Sequence, residues 1–346
     1  MSQPELIDTA PLRALLANSI RQTIAEAAQV EPPPGASTGA ALDPDALEML
    51  TQALLDAADG GKHLRARLTL TIWQALQNSA PGGGAALDRE GVGRLAGAVE
   101  LFHVSALIHD DIVDDADTRR GRAALHRRLA ADVAHRYGAQ GADRLGRDLA
   151  VLAGDLAMVA SESLAHQAVR GAAQPLAEAI TRTLDQMRAQ VMVGQFLDTL
   201  APATGLDTPP VALDRAAGVA LAKSAHYSVT FPLLLGAIAA QADAATLDAL
   251  GQFGAAVGFA FQLRDDLLGV FGQADATGKP SDSDLTSGKR TVLIALARSR
   301  LPAKQSHRLA ELLNSQPNQT AVTEARQLIE SSHAADDAER LIAQCR

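Results

Sequence analysis

The sequence predicts an all-α protein. Hydrophobic residues make up 47% of it, but alanine leads that group and aromatic residues are only 3%, a composition that favours helix over strand on intrinsic propensity. Apolar residues recur at helical spacing through most of the chain. No segment alternates convincingly at the two-residue period of a strand.

Pro11 to Val30 has this helical spacing and then meets EPPPGASTGAALDP, a stretch that cannot continue a helix. Residues 1–42 therefore read as a peripheral helix and a Pro/Gly-rich linker, and residues 43–346 as a single helical domain. From Asp43 onward helical patterns follow one another. They are broken at Gly60-Gly61, at PGGG (81–84) and at APATGLDTPP (201–210). A long polar segment, GQADATGKPSDSDLTSGKR (272–290), carries Lys279, Lys289 and Arg290; it reads as a surface loop or a functional lid.

A net charge of −9 excludes a nucleic-acid-binding surface, which needs an excess of Lys and Arg. Any phosphate chemistry must be local. The single cysteine, Cys345, can form no intrachain disulfide and suits a reducing cytosol. The N-terminus lacks the pattern of a secretory signal, and no eighteen-residue apolar run suggests a membrane span. A cytoplasmic protein is expected.

The densest chemistry lies in LIHDDIVDDADTRRG (107–121), with five aspartates in eight positions and then Arg119 and Arg120. Residues three and four apart share a helix face. Asp110, Asp111 and Asp114 can thus converge within one turn, where their repulsion needs a counter-charge. A hard divalent cation with oxygen ligands supplies one. Mg²⁺ usually takes one or two protein carboxylates together with substrate phosphate oxygens, and guanidinium groups suit phosphate. A bound diphosphate is expected. The plainer alternative is an acidic, solvated helix end, which the apolar Val104, Leu107 and Ile108 just upstream disfavour.

A second set appears in FAFQLRDDLLGVFG (259–272), where Gln262, Asp265, Asp266 and Gly269 follow the i, i+3, i+4, i+7 positions of one helical stripe. Two such clusters, each followed by basic residues, suggest opposing walls of one cavity.

At this point the chain resembles the trans-polyprenyl diphosphate synthases. GGKHLRARL (60–68) resembles the family's first basic box and DDIVDDADTRRG its first aspartate-rich motif; GQFLD (194–198), KSA (223–225) and FQLRDDLLGVFG with TGKPSDSDL and GK follow in the family's order. The resemblance implies a bundle of long helices around a central cavity, usually homodimeric, with residues 43–346 as the catalytic domain. It implies an enzyme that elongates an allylic diphosphate with isopentenyl diphosphate, using Mg²⁺. On this likeness Asp110, Asp111, Asp114, Asp265 and Asp266 would hold the metal. Arg119, Lys223 and Lys279 would contact the allylic diphosphate, and Lys62, Arg65, His103 and Arg120 that of isopentenyl diphosphate. Gln195 and Gln262 would lie along the reacting region, with Asp198 in the same box as Gln195. Taken singly, these cations would be ordinary surface residues and His103 a core histidine; their joint order is what carries the assignment.

The chain departs from the family pattern at Gly269, where a third acidic residue is usual, and at His63, Ala66 and Ser224, where Arg, Pro and Thr are common. In this family the product grows beside the helix of the first motif. Ser105 and Ala106, five and four positions before Asp110, are small, and Phe102 stands one turn further. A turn is about 5.4 Å long, roughly one isoprene unit, so the sequence predicts geranylgeranyl diphosphate or somewhat longer chains. A class I terpene cyclase would carry an Asn/Asp, Ser/Thr, Glu triad near Gln262 and more pocket aromatics, and neither is present. A metal-dependent phosphohydrolase would leave the second aspartate pair unexplained. A non-catalytic subunit of a heteromeric synthase is the remaining alternative.

Overall fold

The computed structural model describes residues 9–30, 42–77, 86–204, 208–272, 283–314 and 318–345. The chain gathers into two compact helical units, residues 1–180 with 236–241, and residues 181–235 with 242–346.

The first unit contains α1 (Ala10–Ala27), α2 (Pro44–Ala58), α3 (Leu64–Leu76), α4 (Arg89–Val113), a short hairpin of β1 (Thr118–Arg119) and β2 (Arg122–Ala123), α5 (Leu125–Tyr137) and α6 (Ala142–Ala168). Its centre is α4. Asp88 starts that helix by accepting the Gly91 N–H at 2.7 Å, an N-cap that satisfies an otherwise orphan donor. Val92, Leu95, Ala96, Val99, Leu101 and Phe102 are then completely buried, an apolar surface too wide for a helix with a solvent face. On α6, Ala150, Ala153, Ala157 and Ala160 form a small-residue stripe that is also buried. Small side chains let α4 and α6 approach closely, and Ser161 Oγ donates to the Ala98 carbonyl at 2.7 Å. The helix expected at the periphery, α1, instead packs Leu12, Leu16, Ile20 and Ile24 into this unit against α2, α4 and α6.

A long helix, α7 (Gln174–Leu200), runs from the first unit into the second. There follow a 3₁₀ turn (Ala201–Ala203), α8 (Pro209–Ala220), a π-helical segment (Leu221–Thr230), α9 (Phe231–Ala239), α10 (Ala244–Phe271), α11 (Ser283–Thr286), α12 (Val292–Arg300), α13 (Ala303–Asn314), α14 (Gln319–Ser331) and α15 (Ala334–Gln344). Leu263, Leu267 and Val270 of α10 join Leu293 of α12, Leu309 of α13, Ile329 of α14 and Ile342 of α15 in one apolar cluster. Among the described residues the only strands are β1 and β2, so the all-α expectation holds. Part of the 272–290 segment is helical, as α11; Lys279 lies outside the described residues.

Three helices, α4, α6 and α10, are long and apolar enough by length and composition to cross a membrane. The sequence reading found no such run, because alanine raises the mean hydropathy of a window without making it continuously apolar. In α4 that surface is used inside the protein, with 72% of the stretch buried.

Close helix contact shapes the second unit too. A Cβ on Gly254 would lie 2.7 Å from Thr230 Cα, and one on Gly258 would lie 2.4 Å from the Ala225 carbonyl oxygen. These glycines, one turn apart, let α10 lie directly on the π-helical backbone. Gly258→Ala should lower stability by about 1–3 kcal/mol through overpacking, seen as a lower urea midpoint with an unchanged slope.

Candidate active site

The helix α4 ends at Val113, so Asp114 is its C-cap rather than a helical residue, its N–H bonded to the Asp110 carbonyl. Asp115 (φ 51) and, in the turn of the hairpin, Arg120 (φ 53) are left-handed, and together they turn the chain back over the helix end. Arg119 is thereby brought onto the carboxylates. Its Nε donates to Asp111 Oδ1 at 2.7 Å and its Nη2 to Asp110 Oδ2 at 3.3 Å, with a further short contact from Nη2 to Asp111. Burial works against the Arg119 cation, but the bond to Asp111 and the charges of Asp111, Asp110 and Asp114 outweigh it and raise its pKa. Asp111 and Arg119 stand eight residues apart in the sequence. They do pair here, because Asp111 is only 3% exposed and a buried carboxylate requires a cation.

Among the described residues, no three acidic, histidine or cysteine side chains stand together as a ready-made metal set. The residue types do fit one. Asp110, Asp111 and Asp114 offer only hard oxygen donors at one helix end, and their charge is already being balanced by a cation.

Beside them lies the start of α3. Gly60 (φ 86), Gly61 (φ 84) and His63 (φ 46) put three left-handed residues into four positions. Gly61 also leaves room for the Arg120 guanidinium, which a Cβ there, 2.8 Å from Nη2, would displace. Arg120 Nη1 donates to the Gly60 carbonyl at 3.0 Å. An open cleft of about 230 Å³ is lined by Gly60, Gly61, Asp111, Arg119, Arg120 and Arg128, among others. Lys62 is exposed on the loop at its edge. His103 is half-buried with its Nδ1 closed to solvent. Burial, then the charges of Arg65, Arg120 and Arg119, hold its pKa well below the ordinary value. The structure thus gathers Arg65, His103 and Arg120 in one positive neighbourhood. Of the residues tied to product length, Phe102 and Ser105 are completely buried and Ala106 is half-buried.

In the second unit, Lys223 lies in the π-helical segment, a distortion often found at functional sites. A Cβ on Gly194 would be 2.5 Å from the Lys223 nitrogen, so α7 meets this backbone through a glycine. Lys223 Nζ bonds Asp198 Oδ2 at 2.5 Å. Gln195, on α7 with Asp198, is half-buried and its Nε2 has no acceptor among the described residues. The adjacent Asp265 and Asp266 of α10 diverge, as neighbours on a helix must. Asp265 is exposed, whereas Asp266 is 2% exposed and accepts a 2.8 Å bond from Gln262 Nε2 on Oδ1. Burial pushes the Asp266 pKa up to about 7, with Asp284 and Asp265 adding to the rise and the Gln262 bond opposing it. Asp266 Oδ2 accepts no well-formed hydrogen bond among the described residues, although the Val292 backbone N–H faces the carboxylate and also opposes the rise.

A family model described as polyprenyl synthetase matches residues 47–330. The chain belongs to that family. It is 31% identical over 301 residues to the geranylfarnesyl diphosphate synthase of Aeropyrum pernix, covering 86% of this chain and 84% of that protein. It is 30% identical over 291 residues to a short chain isoprenyl diphosphate synthase of Methanothermobacter thermautotrophicus, covering 84% and 78%. A solved geranylgeranyl pyrophosphate synthase of Corynebacterium glutamicum, complexed with isoprenyl diphosphate and magnesium, matches with a TM-score of 0.79 at 30% identity, over 98% of this chain and 91% of that one. The protein is a prenyl diphosphate synthase, a prenyltransferase.

Two acidic residues of this synthase escaped the sequence reading. Asp284 lies against Gly269, where a Cβ would come 2.2 Å from its Oδ2; the absent side chain at 269 is what lets this carboxylate approach α10. Its only sequence signal was its place in the polar 272–290 segment. Glu100, 4% exposed, had a clearer one, as a lone charge inside the apolar run AVELFHV. His63, a departure from the family pattern, proves to be buried with its Nδ1 3.3 Å from Glu100 Oε2.

The His103 environment fixes a pH dependence. The unfolded chain takes up a proton near pH 6.5 that the folded protein refuses, so stability is full above that value and is lost as pH falls through it. Urea midpoints measured from pH 7.5 to 5.0 should therefore drop more steeply for the native protein than for His103→Gln. Parallel curves would show that His103 does not contribute.

Proposed function

We propose that this synthase joins an allylic diphosphate head-to-tail to isopentenyl diphosphate, with Mg²⁺ held through Asp110, Asp111, Asp114, Asp265 and Asp266. The observation that carries the reading is the cleft at the end of α4, where carboxylates and Arg119 border a separate positive set around Arg120 and the Gly60–His63 loop. Two anionic groups can be received side by side there. When bound, Mg²⁺ would neutralise the negative charge that grows on the departing diphosphate. Arg119 and Lys223 meet the same charge directly, an electrostatic task that needs no side-chain nucleophile. Asp198 orients Lys223 for it. Arg65, His103, Arg120 and Lys62 hold the second diphosphate, and His103 does so as a neutral donor. The allylic C–O bond breaks with its electron pair on the diphosphate, the isopentenyl double bond attacks the allylic carbon, and the proton lost passes to the released diphosphate.

The complete burial of Phe102 beneath small Ser105 and Ala106 supports a floor for the growing chain at that depth, with geranylgeranyl diphosphate as main product. The relative named for geranylfarnesyl diphosphate makes the next length up a natural neighbour. A homodimer is part of the reading as well. Leu145, Leu152 and Val159 stand at seven-residue intervals on α6 and are 42%, 62% and 53% exposed, an apolar stripe suited to the same stripe of a second copy. The single cysteine fits a cytoplasmic location.

Purified protein supplied with Mg²⁺, isopentenyl diphosphate and farnesyl diphosphate should form geranylgeranyl diphosphate, identified by chromatography. Product from the allylic substrate alone would indicate a cyclase, and no product without a second subunit a non-catalytic partner. With radiolabelled isopentenyl diphosphate, Phe102→Ala should lengthen the product by about one unit, the rise of a single helical turn. An unchanged product would remove Phe102 from this role.

A further inference from the structure

The carboxylate of Glu100 is buried on α4 between completely buried Val99 and Leu101, where an ionised group is tolerated only if it is paired and hydrogen-bonded. Its partners all belong to the positive neighbourhood. Oε1 accepts the Ala66 N–H at 3.1 Å, and Oε2 lies 3.3 Å from His63 Nδ1. Ala66 is the third residue of α3, so its N–H has no partner within the helix. His63, the N-cap, makes no side-chain cap bond. Glu100 therefore caps α3 from across the unit, and its charge faces the positive end of that helix. Among the charges acting on Arg120, Glu100 is the one that most favours the cation. His103 follows it by three residues on α4 and shares its helix face.

We propose that Glu100 is a positioning residue for isopentenyl diphosphate: it fixes the Gly60–His63 loop through His63 and the first turn of α3 through Ala66, and so aims Lys62, Arg65 and Arg120 at one diphosphate. This rests on the reading of that set as the isopentenyl diphosphate site. It also gives His63 a purpose. A short ring in the left-handed conformation reaches Glu100 from the loop.

The test is Glu100→Gln, which keeps an oxygen for the Ala66 N–H but removes the charge. KM for isopentenyl diphosphate should rise about tenfold, the scale of one lost charge-assisted bond. KM for the allylic substrate and the melting temperature should change little, and Glu100→Asp should restore part of the loss. Both KM values unchanged, or both raised equally, would overturn the proposal and leave Glu100 as a structural cap. If Glu100→Gln does not fold, His63→Gln reads the same clamp from its other end, with the same selective rise expected and the same overturning result. Lys62→Ala and Arg120→Ala test the underlying site separately. If neither weakens isopentenyl diphosphate, the site assignment fails whatever Glu100 does.

Discussion

A carboxylate carried on a buried helix must be met by positive charge, and this requirement organises the synthase. Asp111 is met by Arg119, Asp198 by Lys223, and Glu100 by His63 and the N-terminus of α3. In each case the partner comes from a segment far along the chain or beyond a turn. Satisfying the charge therefore also folds that segment into place. Asp266 differs. Its pKa is pushed up to about 7 by burial, and the charges that act on it are two more aspartates, Asp284 and Asp265. An added cation would favour its ionised form.

Glycine supplies the second half of the construction, because charged groups reach these positions only where a side chain is missing. Gly61 admits the Arg120 guanidinium, Gly194 the Lys223 backbone and Gly269 the Asp284 carboxylate. Gly269, as a sequence, marks a lost acidic residue. In the fold it is the space through which a different one arrives, so the α10 wall keeps a third carboxylate from another part of the chain.

Helical periodicity made α4 and α10 legible, with Asp110, Asp111 and Asp266 in the right elements, because it depends only on local spacing. What followed the helix ends was not legible. Asp114 leaves the helix and the chain turns back through Asp115, a left-handed residue that is not glycine, so nothing local announced that turn; only Gly121, in the hairpin turn after Arg119, carries a turn signal. The different burial of Asp265 and Asp266 was not legible for a related reason. Adjacent residues point about 100° apart on a helix, and only packing decides which is buried. The π-helical segment under Lys223 is set by α10 and α7 pressing on it through glycines, a tertiary cause with no local trace. Glu100 could have been found from its isolation among apolar residues, although its partners could not.

The placement of these groups on α4 has a consequence for product length. Phe102 and Asp110 are eight residues apart, about 12 Å along a helix rising about 1.5 Å per residue, and the helix between them has no glycine or proline. It is packed by α3 and α6, so that distance cannot vary as a loop would. Glu100 and His103 lie on the same rigid rod. On the proposed function, one helix therefore sets the carboxylates offered to Mg²⁺, the anchoring of isopentenyl diphosphate and the depth available to the chain. A change that bends α4 must disturb all three together, whereas a change in one side chain can alter product length alone.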